Sequence, residues 1–200
     1  MWSSEETLLS VRGKHMFRLT FDQYTVLILD HLPLQDDVYR EHAMLIEHRE
    51  SDAPRNQEDF LYLAVFQGDR QWPFLIVTQR YDPGPDAGFY PGVLLLPETS
   101  LLFVGAGERL LAYRLDPPAK LWEDDADTGF WGWERYKDVL IMSAELELAV
   151  WNIRGEKLWT TFVEPPWDYS LDENTIHLEV MGAKTCFPLS EGPPDAFRWW

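Results

Sequence analysis

The chain is short of cysteine, of basic residues and of long apolar runs. Cys186 is the only cysteine in 200 residues, so no intrachain disulfide can form, and a reducing compartment is the simplest inference. No apolar segment approaches the ~20 residues that a membrane helix requires. The first ten residues carry Glu5 and Glu6 where a secretory leader would carry Lys or Arg, and they lack its apolar stretch. A cytoplasmic protein is expected. Seventeen Lys and Arg stand against thirty-four Asp and Glu, a formal charge of −17. That balance argues against nucleic acid as a ligand, because binding to phosphates depends on basic side chains. The acids are evenly spread, 16 against 8 bases in residues 1–100 and 18 against 9 in residues 101–200, so the charge belongs to the folded surface. Such a field keeps a protein soluble and attracts basic partners.

What the chain does have is short apolar segments, rich in β-branched and aromatic residues and bounded by turn formers. Phe17–Phe21, Tyr24–Leu29, Phe60–Phe66 and Phe74–Thr78 read as strands. So do Val93–Leu96, Leu101–Val104, Leu110–Leu115, Val139–Met142, Leu146–Trp151, Leu158–Val163 and Ile176–Val180. Their connections are too short for crossover helices, which predicts an all-β fold of antiparallel sheets with little helix. Ser3 and Glu6 have capping-box spacing ahead of a turn or two of helix. Asp36–Glu50 contains helix formers, but its alternation favours a strand. The Pro- and Gly-rich loop Tyr81–Gly92 divides a β-rich N-terminal half, residues 1–92, from a Trp-rich half, residues 93–200. The two are expected to pack as one globular unit.

One internal repeat stands out. Residues 111–122 and 148–159 align without a gap at an offset of 37, with Leu111/Leu148, Ala112/Ala149, Lys120/Lys157, Leu121/Leu158 and Trp122/Trp159 identical. Each copy reads as strand, tight turn and strand, closed by a Trp, and such a unit must stack on another to bury its face. Ala ten residues before Trp and Gly four before it resemble the blade repeat of quinoprotein-type (PQQ-like) β-propellers. The second copy has both, Ala149 and Gly155, while the first has Pro118 at the Gly position. The resemblance covers residues 100–160 and implies blade-like hairpins with docking tryptophans, in a sandwich or a small or partial propeller. It implies no quinone and no other cofactor.

Six tryptophans, Trp122, Trp131, Trp133, Trp151, Trp159 and Trp167, fall close together. Docking between sheets is the favoured reading, since each ring buries ~150–250 Å². Trp131, Trp133 and Trp167 are the candidates for a sugar or other flat ligand, with Phe130–Trp133 as a loop lip. Val139–Trp151 alternates in a way that puts Glu145 and Glu147 on one strand face, about 6.6 Å apart, near the spacing of a hydrolytic carboxylate pair. Glu164 completes a conceivable acid/base group, although alternating Glu on a half-exposed strand is ordinarily a solvated face.

No metal is expected. His42 and His48 cannot share an ion in either a strand or a helix, and Glu123–Gly129 has its Gly one position late for a calcium loop. Gly105–Gly107 is a hairpin turn. Nothing beside Cys186 in sequence would lower a thiol pKa, so it reads as a buried structural residue. Without a nucleophile–base set, the expected activity is a non-catalytic acidic interaction or inhibitory module for a protein partner, a basic one by charge. Carbohydrate binding and a Glu145/Glu147 hydrolase are the alternatives.

Overall fold

The computed structural model describes residues 16–49, 59–84 and 88–194. The turn expected after Ser3 and the terminal Trp199–Trp200 lie outside the described residues. Four sheets follow one another along the chain. The first contains β1 (Met16–Phe21), β2 (Tyr24–Leu29), β3 (Leu45–Arg49), β4 (Asp59–Gln67) and β5 (Leu75–Tyr81), in the order β1-β2-β4-β5-β3. The second is the meander β6 (Gly92–Leu96), β7 (Leu101–Ala106), β8 (Arg109–Leu115) and β9 (Pro118–Asp125). The third repeats it with β10 (Phe130–Tyr136), β11 (Val139–Ala144), β12 (Glu147–Asn152) and β13 (Lys157–Phe162). The fourth has β14 (Trp167–Asp172), β15 (Thr175–Val180) and β16 (Ala183–Pro188). The fold is all-β, and serial four-stranded meanders of this kind are blade-like. Among the described residues no helix is long and apolar enough to cross a membrane.

The repeat extends to backbone bonds, at spacings of 38 and then 36 residues. The residue that ends or follows the third strand of each meander donates to the turn between the first two. These bonds run from Leu115 to Ser100 O at 2.8 Å, from Ile153 to Asp138 O at 3.2 Å and from Leu189 to Asn174 O at 2.8 Å. Each meander can bury its hydrophobic faces only against its neighbours, and three apolar layers result. Tyr24, Val26, Leu63 and Val77 meet Leu102, Val104, Leu111 and Tyr113 between the first and second sheets. Phe103, Leu110 and Ala112 meet Phe130, Leu140, Met142 and Trp151 between the second and third. Ile141, Leu148 and Val150 meet Ile176, Leu178 and Phe187 between the third and fourth. The middle sheets are therefore buried on both faces, which is why β7 and β8 read as nearly continuous apolar runs.

The docking role of the repeat tryptophans has a concrete geometry. Trp122 and Trp159, on the outermost strands of the second and third sheets, each reach into the following sheet. Trp122 Nε1 donates to Gly155 O and Trp159 Nε1 to Leu189 O, both at 2.7 Å. Gly192 lies at the +37 position from Gly155, and a Cβ there would meet Trp159 Cγ at 2.6 Å. Close approach also governs the inner strands. A Cβ on Gly105 would stand 2.6 Å from the Phe130 ring, and Phe130 is fully buried. Gly105→Ala should therefore cost about 1–3 kcal/mol as an overpacking change, read as a lower urea midpoint at an unchanged m-value.

Several expectations need correction. Asp36–His42 forms a helix, α1, and only Leu45–Arg49 of that stretch is a strand. Asp36 and Asp37 in the first turn, Arg40 and His42 in the last, and an Arg40–Asp36 ion pair at 2.8 Å favour the helix over the alternating pattern. The helix carries the chain across the first sheet, so β3 pairs with β5 in parallel, an exception to the antiparallel expectation. Tyr39 and Ala43 pack onto that sheet's outer apolar face. Val139–Trp151 is a hairpin broken at Glu145–Leu146 rather than one alternating strand; both its faces are buried, so its apolar residues gave a misleading alternation. Phe130–Trp133 lies in a strand and not in a loop. Cys186 is exposed. It occupies the polar outer face of the fourth sheet with Asp168, Ser170, His177, Glu179 and Lys184, which ends the apolar stacking with a solvated layer.

Candidate functional site

Antiparallel meanders send their connections to two opposite ends. The described linkers between sheets (residues 82–84 with 88–91, 126–129 and 163–166) emerge at the same end as the hairpins Gly107–Glu108, Glu145–Leu146 and Met181–Gly182. Backbone bonds tie these loops together. Ala126 N donates to Glu108 O at 2.6 Å, Phe130 N to Gly107 O at 2.7 Å and Glu145 N to Gly129 O at 3.0 Å. Val163 N donates to Leu146 O at 3.0 Å and Met181 N to Pro166 O at 2.9 Å. The loops thus form a continuous pinned surface instead of independent tips.

This end has its own chemistry. Among the described residues of these loops the charged side chains are Asp82, Glu108, Asp127, Glu145 and Glu164, all acids. The opposite end mixes Lys137 and Arg154 with its acids. Three apolar residues of the acidic end are also open, with Tyr90 71%, Met181 61% and Trp131 42% exposed. Beside Tyr90 the surface continues into a groove of about 1160 Å³ lined by Phe17, Leu29, His31, Phe60, Tyr90 and Val93.

The three ligand-candidate tryptophans separate into two environments, and a β-bulge divides them. Phe130 pairs with Ala144, Gly132 with Ser143 and Trp133 with Met142, so Trp131 is the extra residue. The bulge keeps Phe130 and Trp133 on one face and turns Trp131 to the other. Trp133 packs inside the second layer against Phe103, Phe130 and Trp151. Trp131 crosses to the fourth sheet and stacks on Trp167, with centroids 5.2 Å apart and planes at 8°. Trp167 in turn stacks on Tyr169 at 6.3 Å and 18°. The ladder is held from behind. Trp167 Nε1 donates to Glu145 O at 3.0 Å and Tyr169 OH donates to Glu134 Oε2 at 2.5 Å. Burial pushes the Tyr169 phenol above its ordinary range, and the Glu134 carboxylate adds to the shift.

The glutamates occupy three different settings. Glu145 sits half-buried in the hairpin turn, and Glu164 is exposed in the linker to β14. Glu147 is buried at the start of β12, accepting from Thr160 Oγ1 at 2.5 Å and from Asp127 N at 3.1 Å. Its carboxylate fastens a linker to β13, and the hairpin separates it from the position that a shared strand face would give it beside Glu145. His177 and Cys186 are direct cross-strand partners on β15 and β16. Among the described residues no group of three or more His, Cys, Asp or Glu could hold a metal ion.

Sequence reading gave no binding role to Tyr90, Met181 or Glu108 and weighed Asp127 only as part of a rejected calcium loop. A signal existed for the two acids: Glu108 and Glu145, and likewise Asp127 and Glu164, stand 37 apart. No family model matches the chain, and no curated protein matches it. Solved structures of Hsv2 from Kluyveromyces marxianus and Kluyveromyces lactis align at 12% and 13% identity over 48% and 49% of this chain, each with a TM-score of 0.28. The chain spans about a third of the length of those structures, 32% in each case. A likeness at that score assigns no role, and the four-sheet arrangement stands on its own strand order and register.

Proposed function

We propose that the chain is a non-catalytic interaction module that binds a basic protein partner through the end formed by its sheet linkers and second hairpins. The observation that carries this reading is the coincidence, on one pinned surface, of five acids without a base and three open apolar side chains. Charge of one sign steers encounter and sets specificity, while exposed aromatics supply the buried centre of an interface. The linkers are already ordered by backbone bonds, so little entropy is lost when a partner docks. A reducing, cytoplasmic setting is part of the proposal. The quinoprotein-type kinship is proposed as one of packing alone, resting on Ala149, Gly155 and Trp159.

The test is a comparison of two charge variants. Glu108→Gln with Glu164→Gln alters the proposed end, and Glu98→Gln with Glu156→Gln alters the opposite one. Both variants should fold normally. Association with a basic protein such as cytochrome c or a histone at low salt should weaken several-fold in the first variant and hold in the second. Equal weakening in both would remove this end from the interface, and salt-insensitive capture of non-basic partners would remove the electrostatic reading. The parallel Trp131–Trp167 stack favours one second reading, a sugar on the outer indole face. Unchanged Trp fluorescence across a panel of neutral glycans would retire it.

A further inference from the structure

From the free face of Trp131 we infer that this surface selects arginine, so that the partner presents an arginine-bearing segment and not merely a basic one. The inference rests on the reading above and narrows it. One face of the Trp131 ring lies against Trp167, and the side chain is nevertheless 42% exposed, the only tryptophan among the large exposed hydrophobics of the described residues. Elsewhere this chain places its own cations over its rings: Lys157 Nζ lies 4.9 Å from the Trp151 centroid, Lys137 Nζ 5.2 Å from Tyr136 and Arg80 5.7 Å from Phe60. None of these three covers Trp131. The bases further along β10 and its following turn are engaged, Arg135 with Glu98 at 2.6 Å and Lys137 with Glu173 O at 2.8 Å. Among the described residues no cation is thus placed over the flat outer face of this electron-rich three-ring ladder.

Its surroundings define the cation. Glu145 contributes the carbonyl that holds Trp167, and Glu164 is exposed three residues before Trp167. A guanidinium can lie parallel to the indole and still direct its in-plane N–H groups at carboxylates on the rim. An ammonium has no plane to stack, and its strong hydration opposes the same site. The ladder is preorganised through the Trp167–Glu145 and Tyr169–Glu134 bonds, so the rings need little ordering on binding. A neutral sugar would use the indole face and donate hydroxyls to the acids, but it would gain no net charge attraction from them.

The experiment uses the full chain and two capped peptides of equal length and charge, each with three Arg or three Lys separated by Gly. Binding is followed by fluorescence anisotropy at physiological salt and by the indole N–H signals of Trp131 and Trp167. The Arg peptide should bind about fivefold more tightly than the Lys peptide and shift both indole signals. Trp131→Ala should erase that preference without changing the thermal midpoint appreciably, because the ring is exposed, and Trp131→Phe should keep part of it. Equal affinity for the two peptides, with weakening in Glu108→Gln/Glu164→Gln, would overturn arginine selection and leave the acidic interface standing. Peptide binding unaffected by those acid variants would overturn the interface reading itself. A preference for Arg that survives Trp131→Ala would place the arginine site elsewhere and overturn the inference.

Discussion

Trp151→Ala is expected to lower the unfolding free energy by about 3–5 kcal/mol, the largest effect of any single ring among the described residues. Trp151 is 1% exposed and sits in the layer between the second and third sheets. Trp122 stacks on it with centroids 5.6 Å apart and planes at 19°, and Trp133 meets it edge-on at 5.4 Å and 72°. Lys157 Nζ closes the open side at 4.9 Å. Deleting the indole leaves a cavity that those neighbours cannot fill without moving, because Trp122 is tethered by its bond to Gly155 O. Urea unfolding followed by far-UV circular dichroism measures the loss. A change below about 1 kcal/mol would mean that the layer can collapse around the gap. Trp131→Ala is the contrasting case: the ring is 42% exposed, and the expected loss is within about 1 kcal/mol.

That contrast marks how much of the site was legible in the sequence. The offset linking Trp122 to Trp159 identified two rings as interlayer docks, and both donate to a carbonyl of the following sheet. Trp131 and Trp133 could not be told apart in the same way, because two residues of separation places side chains on one strand face. The bulge reversed that relation, and bulges leave a weak trace in sequence beyond the intervening Gly132. The strands that were recognised are chiefly the buried ones. β14 went unnoticed because it alternates polar with apolar residues directly after Pro165 and Pro166, as edge strands do. Glu145 and Glu147 misled for the opposite reason. Both faces of their sheet are buried, so apolar residues fill every position and an apparent period of two runs through a turn.

Arg109→Met is expected to destabilise the protein by about 3 kcal/mol and to flatten its stability between pH 5 and pH 2. Arg109 joins the first sheet to the second with a side chain only 9% exposed. Its guanidinium donates to Glu47 at 2.7 Å, to Glu123 at 2.8 Å and to Gln79 at 3.3 Å, while Lys120 bridges the same two carboxylates. Removing the guanidinium leaves a partly buried Glu47 with Lys120 as its remaining cation, so the loss comes chiefly from uncompensated charge. The Arg109 hydrogen bond, followed by that of Lys120, holds the Glu123 carboxyl down from 4.5 to about 2, against the opposing effect of burial. A depressed carboxyl pKa stabilises the fold fully above the unfolded value near 4.5, and that stabilisation is lost as pH falls toward about 2. Wild-type protein should therefore weaken through this interval. In Arg109→Met, Glu123 titrates nearer its ordinary value, so less stabilisation remains to be lost and the two stability curves converge in acid. Partial screening of the 32%-exposed Glu123 side chain will reduce the size of this convergence, but not its direction. Parallel curves from pH 7 to pH 2 would show that Arg109 acts through packing of its aliphatic stem and not through its charge.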